Sequence, residues 1–321
     1  MPGVLCCVVN WNGLKDAIPC VSSLLKMNYP KFSILVVDNG SVENEAAALE
    51  RLFGSRIQAT HLQENGGFAA GVNYGIRYAA EGHFQYVLVL NNDLVVAPDL
   101  LEGLVETIES VPNVGVVGPL VCYYDRPTLV NSAGNQLHRC MARSRRLGLN
   151  QPVDDMPSES YDVDFVDGSC FLVSTHLAAR EMLDTSYFLY WEEVDWCVRL
   201  RRLGLRVLCT PSAKVWHKVS VSSGGSSTDL YVYTYLRNEL LFLKRNQKPF
   251  CAFPRCLSVG REMLLFLLVG TFRRAKEGPK VLFRLVWLMF RATEWNARPD
   301  RSDQFLQRLV AERAENWARQ F

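Results

Sequence analysis

The sequence predicts an α/β fold organised on a doubly wound, mainly parallel sheet. Three observations carry this expectation. Apolar, β-branched runs recur at 4–9, 32–37, 57–62 and 86–90, and several are too continuous for strands with one wet face. Stretches of helical spacing separate them (16–27, 43–53, 65–80), the alternation that builds parallel βαβ units. Three of the runs end in polar turn residues: Asn10-Trp-Asn-Gly13, Asp38-Asn-Gly-Ser41 and Asn91-Asn-Asp93. In open α/β sheets ligands bind outside the carboxyl ends of the strands.

The elements follow in order. The strand at 4–9 turns out through Asn10 to Gly13, and Tyr29-Pro30 closes the helix at 16–27. The second strand ends in Asp38 and leads to a helix at 43–53. A short third strand precedes the Gly-rich run 64–75, which opens a helix through Ala80. The strand carrying Asn91 to Asp93 follows, then a helix at 100–110 and a strand at 114–118. Periodicity fades from 121 to 160. Residues 139–146 are basic and 151–160 rich in Pro and Asp, so a loop or hairpin insertion is expected here. Strand character returns at 163–173 around a turn at Asp167-Gly168, and 177–183 is helical. Residues 192–202 read as a helix whose acidic first turn and basic last turn complement the helix dipole, with Gly204 as its C-cap. A strand at 206–209, a polar loop opened by Val215-Trp-His217 and a helix at 231–245 complete a unit spanning 1–248.

Residues 249–321 form a second, C-terminal helical region. Its apolar runs at 263–269 and 281–290 are shorter than the roughly 18 residues that a membrane span needs. Lys280, Arg284, Trp287, Arg291 and Arg298 recur there at helical spacing. A basic stripe on an apolar helix fits peripheral membrane contact; a helix packed on the main unit with a solvated basic face is the alternative.

With 49% hydrophobic and 21% charged residues, the chain is that of a folded globular protein, and a formal net charge of +2 makes no case for nucleic acid. The 10 cysteines include no C-x-x-C pair, which argues against a zinc ribbon or thioredoxin-type motif. Cysteines inside apolar runs act as small hydrophobes and point to a reducing, cytoplasmic compartment. The chain opens directly into a strand with no basic leader.

Several clusters carry chemistry. Asp93, beside the amides of Asn91 and Asn92, suits a hard divalent cation on a diphosphate; plain turn chemistry is the bland alternative. Asp38 can accept hydrogen bonds from a base imide or a ribose hydroxyl, or simply cap its turn. Gly66-Gly67, Gly71 and Gly75 let backbone approach a ligand closely at a helix start, yet match neither the dinucleotide fingerprint nor the P-loop. Glu192, Glu193 and Asp195 crowd one helical turn, where mutual repulsion raises a pKa and suits a general base, unless they are ordinary N-terminal acidic residues. His217 could complete an Asp/His metal site or be a packed histidine.

Val8-Val-Asn-Trp-Asn-Gly13, Val36-Val-Asp-Asn-Gly-Ser41, Asn65-Gly-Gly-Phe-Ala-Ala-Gly-Val-Asn-Tyr-Gly75, Leu90-Asn-Asn-Asp93, Asp167-Gly-Ser, Phe188-Leu-Tyr-Trp-Glu-Glu-Val-Asp-Trp-Cys-Val-Arg199 and Val215-Trp-His217 occur in this order. Together, over residues 4 to 245, they resemble the inverting family 2 glycosyltransferases of GT-A (Rossmann-like) fold, and within them the rhamnosyltransferase-like branch. The resemblance implies a nucleotide-sugar donor, on dTDP or UDP, bound across the first half of the domain. Asp38 would contact the base with backbone near Asn10 assisting. Asn65, Gly67, Gly71 and Asn73 would line the nucleotide and sugar with Asn91, Asn92 and Asp167. Asp93 stands at the family's Asp-x-Asp position and would hold Mg2+ or Mn2+, with His217 a second ligand. Glu193 stands where the family carries its catalytic base, an Asp replaced here by Glu, and Asp195 is the reserve. The acceptor would be a glycan or a lipid-linked sugar, met at the inner face of the membrane during cell-surface polysaccharide synthesis. Oligomeric state stays open. The missing first Asp of Asp-x-Asp and the altered acidic pair motivate an alternative, a non-catalytic module that binds nucleotide sugar or scaffolds a glycan assembly complex.

Overall fold

A computed structural model describes residues 1–138, 142–218, 229–246 and 304–318. Its strands are β1 (Val4–Asn10), β2 (Phe32–Asp38), β3 (Gln58–His61), β4 (Tyr86–Asn91), β5 (Leu94–Val96), β6 (Val114–Tyr123), β7 (Val130–Ser132), β8 (Asn135–His138), β9 (Arg143–Arg146), β10 (Tyr161–Asp162), β11 (Cys170–Ser174) and β12 (Arg206–His217). Its helices are α1 (Leu14–Leu24), α2 (Glu45–Phe53), α3 (Phe68–Glu81), α4 (Leu100–Ser110), α5 (Thr175–Arg180), α6 (Glu192–Arg202), α7 (Asp229–Asn246) and α8 (Gln304–Ala318).

The apolar runs are continuous because both faces of the sheet are covered. Along β1, Leu5, Cys7 and Val9 join one core, whereas Val4, Cys6 and Val8 join the other. That is the period of two in a pleated strand. α1, α2 and α4 bury their apolar stripes in the second core, and α3, α5, α6, α7 and α8 theirs in the first. The sheet runs β10-β12-β6-β11-β4-β1-β2-β3, with β5 added to β12 and β7 to β6. Its β4-β1-β2-β3 half is parallel, as expected. The other half is mixed, because β11 runs antiparallel between β4 and β6 while β6 and β12 pair in parallel. This is an α/β fold with helices on both faces of the sheet. β8 and β9 form the expected hairpin insertion.

Two differences from the expectation bear on the site. β12 does not stop at Cys209. An irregularity between Thr210 and Lys214 lets it resume along β6, and its last residues pair with β5 as Val215↔Val96 and His217↔Leu94. His217 therefore ends a strand. Second, the glycines of α3 serve packing: a Cβ at Gly75 would lie 2.1 Å from Cys7 Sγ, and one at Gly71 2.9 Å from Val9 Cγ1. Their smallness presses α3 onto β1.

All seven cysteines among the described residues are free and buried. No helix among these residues is long and apolar enough to cross a membrane. The basic and apolar stretches at 263–269 and 281–298 lie outside the described residues, whereas α8 packs on α7 and buries Leu306, Leu309 and Val310.

The Gly75 contact yields a test. Gly75→Ala should destabilise the protein by about 1–3 kcal/mol through overpacking. Adding Cys7→Ala should recover part of that loss, read as the midpoint of urea unfolding.

Candidate active site at the carboxyl ends of the strands

A buried chain of polar side chains ties three elements together at the carboxyl edge. Glu45, at the start of α2, accepts hydrogen bonds from Asn10 Nδ2 (2.7 Å) and Gly13 N (2.9 Å). Asn92 Nδ2, just past β4, donates to Asn10 Oδ1 at 2.7 Å. Glu45, Asn10 and Asn92 are all buried, so each depends on the others for its polar partners. Asn91 ends β4 half-exposed, its backbone N–H bonded to Ser169 O. Asn10 and Asn92, expected beside the nucleotide, thus use their amides to join β1 and β4.

The same junction aims Asp93. The β5–β12 pairing sets His217 opposite Leu94, and His217 Nε2 lies 3.1 Å from Asp93 Oδ1. Burial alone would push the imidazolium pKa down, but the Asp93 carboxylate outweighs it and holds the value above that of an ordinary imidazole. Asp93 Oδ1 is buried and accepts no aligned hydrogen bond. A buried carboxylate oxygen with spare valence beside an imidazole nitrogen fits a divalent cation such as Mn2+ or Mg2+. Among the described residues no third His, Cys, Asp or Glu joins them, so such an ion would draw its other ligands from substrate and water.

Asp38 is committed to its own chain. It is fully buried; Oδ1 accepts from the N–H and hydroxyl of Ser41, and Oδ2 from Glu45 N and Ala46 N. His61 Nδ1 lies 2.7 Å from Oδ2. The carboxylate thereby caps α2, where the helix dipole favours it. Asn65 Oδ1 accepts from Asn39 Nδ2 (3.0 Å) and Gly67 N (2.9 Å). Gly67 has φ +84, and a Cβ there would lie 2.3 Å from Phe188 O; Phe68 N bonds that same carbonyl at 2.8 Å. Asn73 is buried and pairs both ways with the backbone of Leu183. Gly71 and Asn73, expected along the ligand, therefore face β1 and the 183 loop.

The Phe188 contact continues into the acidic turn. Tyr190 (φ 71) and Trp191 (φ 76) both adopt left-handed backbone, which costs free energy for residues with a Cβ and persists only where the surroundings hold it. α7 supplies the hold: Asn238 Nδ2 donates to the carbonyls of Leu189 (2.9 Å) and Tyr190 (2.8 Å), and Trp191 packs between Tyr235 and Phe242. Out of this turn α6 presents its carboxylates. Asp195 turns inward, bonded by Arg199 Nε (3.1 Å), Asn246 Nδ2 (3.0 Å) and Tyr187 Oη (3.3 Å). Glu193, two residues earlier and so on another flank of the helix, lies over Gly168. Burial, with Asp167 adding repulsion, pushes its pKa up to about 7. Glu192 is buried with Oε2 unpartnered. Burial first and Glu193 second hold its carboxyl well above the usual range. Both shifts arise more from burial than from the repulsion expected. Asp167, its Oδ1 bonded by Ser169 N at 3.1 Å, lies near enough to raise both Glu193 and His217. One edge of the sheet thus gathers Asp93, His217, Asp167 and Glu193.

The family model for glycosyl transferase family 2 matches residues 6–174. The chain belongs to that family. Among curated proteins it is 26% identical over 208 residues to the low-salt glycan biosynthesis hexosyltransferase Agl10 of Haloferax volcanii, covering 62% of this chain and 65% of that protein. The chain thus spans a little under two thirds of the length of that hexosyltransferase. It is 28% identical over 214 residues to the N-acetylglucosaminyl-diphospho-decaprenol L-rhamnosyltransferase of Mycobacterium tuberculosis, covering 60% and 68%. The solved structure of GalNAc-T7 with UDP, GalNAc and Mn2+ superposes with a TM-score of 0.62 at 16% identity, covering 76% of this chain and 48% of the other. That of the mannosyltransferase PcManGT of Pyrobaculum calidifontis with GDP-Man and Mn2+ gives 0.54 at 14%, covering 99% and 87%. At these identities the structures speak for the GT-A fold.

Within this family 2 domain, sequence reasoning missed Glu45, Asn238 and Arg146. Glu45 and Asn238 act through buried hydrogen bonds between distant segments, which no local pattern reveals. Arg146 lay inside a basic stretch read only as an insertion, yet its charge reaches Glu193 and His217.

The buried Glu192 gives a stability test. Its pKa is raised on folding, so its contribution is fully present at low pH and is lost as pH rises above the ordinary Glu range. Glu192→Gln should therefore be more stable than wild type by about 1 kcal/mol or more at pH 8, with a smaller difference at pH 5, measured by urea unfolding.

Proposed function

We propose that this chain transfers a sugar, rhamnose as first choice, from a nucleoside diphosphate to a hydroxyl of a glycan or lipid-linked acceptor, with inversion at the anomeric carbon. The observation that carries the reading is the position of Glu193, which lies over Gly168 beside Asp167 with its pKa pushed up to about 7 by burial, on the same edge as the Asp93–His217 pair. A base works best when its pKa lies near the working pH. Glu193 takes the proton of the acceptor hydroxyl as that oxygen attacks the anomeric carbon. The bond from that carbon to the diphosphate oxygen breaks, and the departing nucleoside diphosphate keeps the electron pair. Asp195 does not compete for this role, because its oxygens are held by Arg199, Asn246 and Tyr187. Asp93 and His217 would hold the divalent cation, which neutralises charge on the departing diphosphate when bound.

Asn65 and Gly67 shape the loop beside the nucleotide, and Asn91 and Asp167 border the sugar. Asp38, Asn10 and Asn92 act in this reading by holding the strand ends that form the floor. The basic stripe at 280–298 supplies peripheral contact with an anionic membrane.

The first experiment is a thermal-shift panel of UDP, dTDP and their sugars, with and without Mn2+ or Mg2+. Wild type should be stabilised by nucleotide only with metal, and Asp93→Ala should lose that response. Glu193→Gln should keep it while transfer falls by about 10²- to 10⁴-fold. Wild-type kcat/KM should rise with pH through about 7 and then level, because the deprotonated carboxylate is the active form. Full activity of Glu193→Gln would remove it as the base. Nucleotide binding without turnover on any acceptor would favour the non-catalytic module. For the membrane contact, replacing Lys280, Arg284 and Arg291 by Gln should reduce binding to anionic vesicles, and unchanged binding would refute it.

A further inference from the structure

The β8–β9 hairpin carries an arginine with an uncommon set of contacts. Asn135↔Arg146 is the closing pair of the hairpin. Leu147 N bonds Gly134 O and Ala133 N bonds Leu147 O, both at 2.9 Å, which locks the hairpin base against the end of β7. There Arg146 Nη1 donates to Oδ1 of Asn131 at 3.2 Å, and Asn131 is buried. The anchor is a neutral amide. Among the described residues Arg146 forms no ion pair, although the site beside it is rich in carboxylates. Its β8 partner Asn135 also donates its backbone N–H to Phe165 O at 3.0 Å, two residues before Asp167, so the hairpin base that carries Arg146 is held beside the segment that brings Asp167 to the site.

A guanidinium has five N–H donors in a planar fork. One is spent on Asn131, which fixes the group without neutralising it. A fork oriented in this way and left unpaired by any carboxylate matches the two oxygens of a phosphate. We propose that Arg146 is an anion-binding residue of this site and seats a phosphate group of a substrate. The inference rests on the glycosyl-transfer reading for the identity of that substrate. The phosphate belongs either to the donor's diphosphate or to a phosphorylated acceptor.

Calorimetric titration of wild type, Arg146→Ala and Arg146→Lys with two probes separates these cases. The probes are UDP or dTDP with Mn2+, and glucose 1-phosphate added to protein with and without saturating nucleotide. Because Arg146 is exposed, both variants should fold as wild type does. If the donor supplies the phosphate, Arg146→Ala should weaken nucleoside diphosphate binding about tenfold or more, Arg146→Lys less, and nucleotide should displace glucose 1-phosphate. If the acceptor supplies it, nucleotide affinity should not change. Glucose 1-phosphate should then bind the nucleotide-loaded wild type and fail to bind loaded Arg146→Ala. Equal affinities of wild type and Arg146→Ala for both probes would overturn the proposal, as would a wild type that binds neither. A wild type that binds glucose 1-phosphate through Arg146 but no nucleoside diphosphate would keep the anion seat and remove the glycosyl-transfer reading.

Discussion

The hydrogen-bonded chain from Glu45 through Asn10 to Asn92 is the constraint on which the rest of the site depends. A carboxylate and two amides, all buried, meet where β1, β4 and α2 converge. A buried polar group left without a partner costs about 1–3 kcal/mol, so the three hold one geometry together. That geometry fixes the turn after β4. The turn in turn sends β5 along β12, and the β5–β12 register brings His217 to Asp93. The metal-compatible pair is therefore assembled by backbone pairing, with the polar chain setting where the pairing begins.

A second support lies across the sheet. The left-handed backbone at Tyr190 and Trp191 would relax without its neighbours, and α7 provides them through Asn238 and an aromatic stack. Strain of this kind gathers where a side chain must be presented at an unusual angle. Here the side chains presented are Glu192 and Glu193. Their carboxyls are raised chiefly by burial, and the charge of Asp167 adds to the effect at Glu193.

Much of this was legible in the sequence where one residue type has one use. Helices at 100–110 and 192–202 match the structure to the residue, because apolar spacing marks both and, in the second, an acidic first turn and a basic last turn agree with it. The parallel half of the sheet followed from its doubly buried strands. The other half did not, since the antiparallel insertion of β11 depends on long-range pairing that no window of sequence contains. Glycines and short polar residues were the hardest to read. Gly71 and Gly75 look like a loop that cradles a ligand, yet the atoms they admit are those of β1. Asp38 and Asn73 look like ligand contacts, yet they cap α2 and hold the 183 loop. In each case the same chemistry serves a ligand or the chain itself, and only the partner's position decides.

The turn before α6 has a consequence for how such a protein comes into being on the ribosome. The segment matched by the family model ends at residue 174, before Glu193, His217 and the Asn238 that steadies the strained pair. The parallel strands that hold Asp93 are synthesised early, and their floor can assemble from residues already made. Glu193 acquires its place only after α7 has emerged and closed over Trp191. The nascent chain thus completes the strand edge that holds Asp93 first and the strained turn that presents Glu193 last.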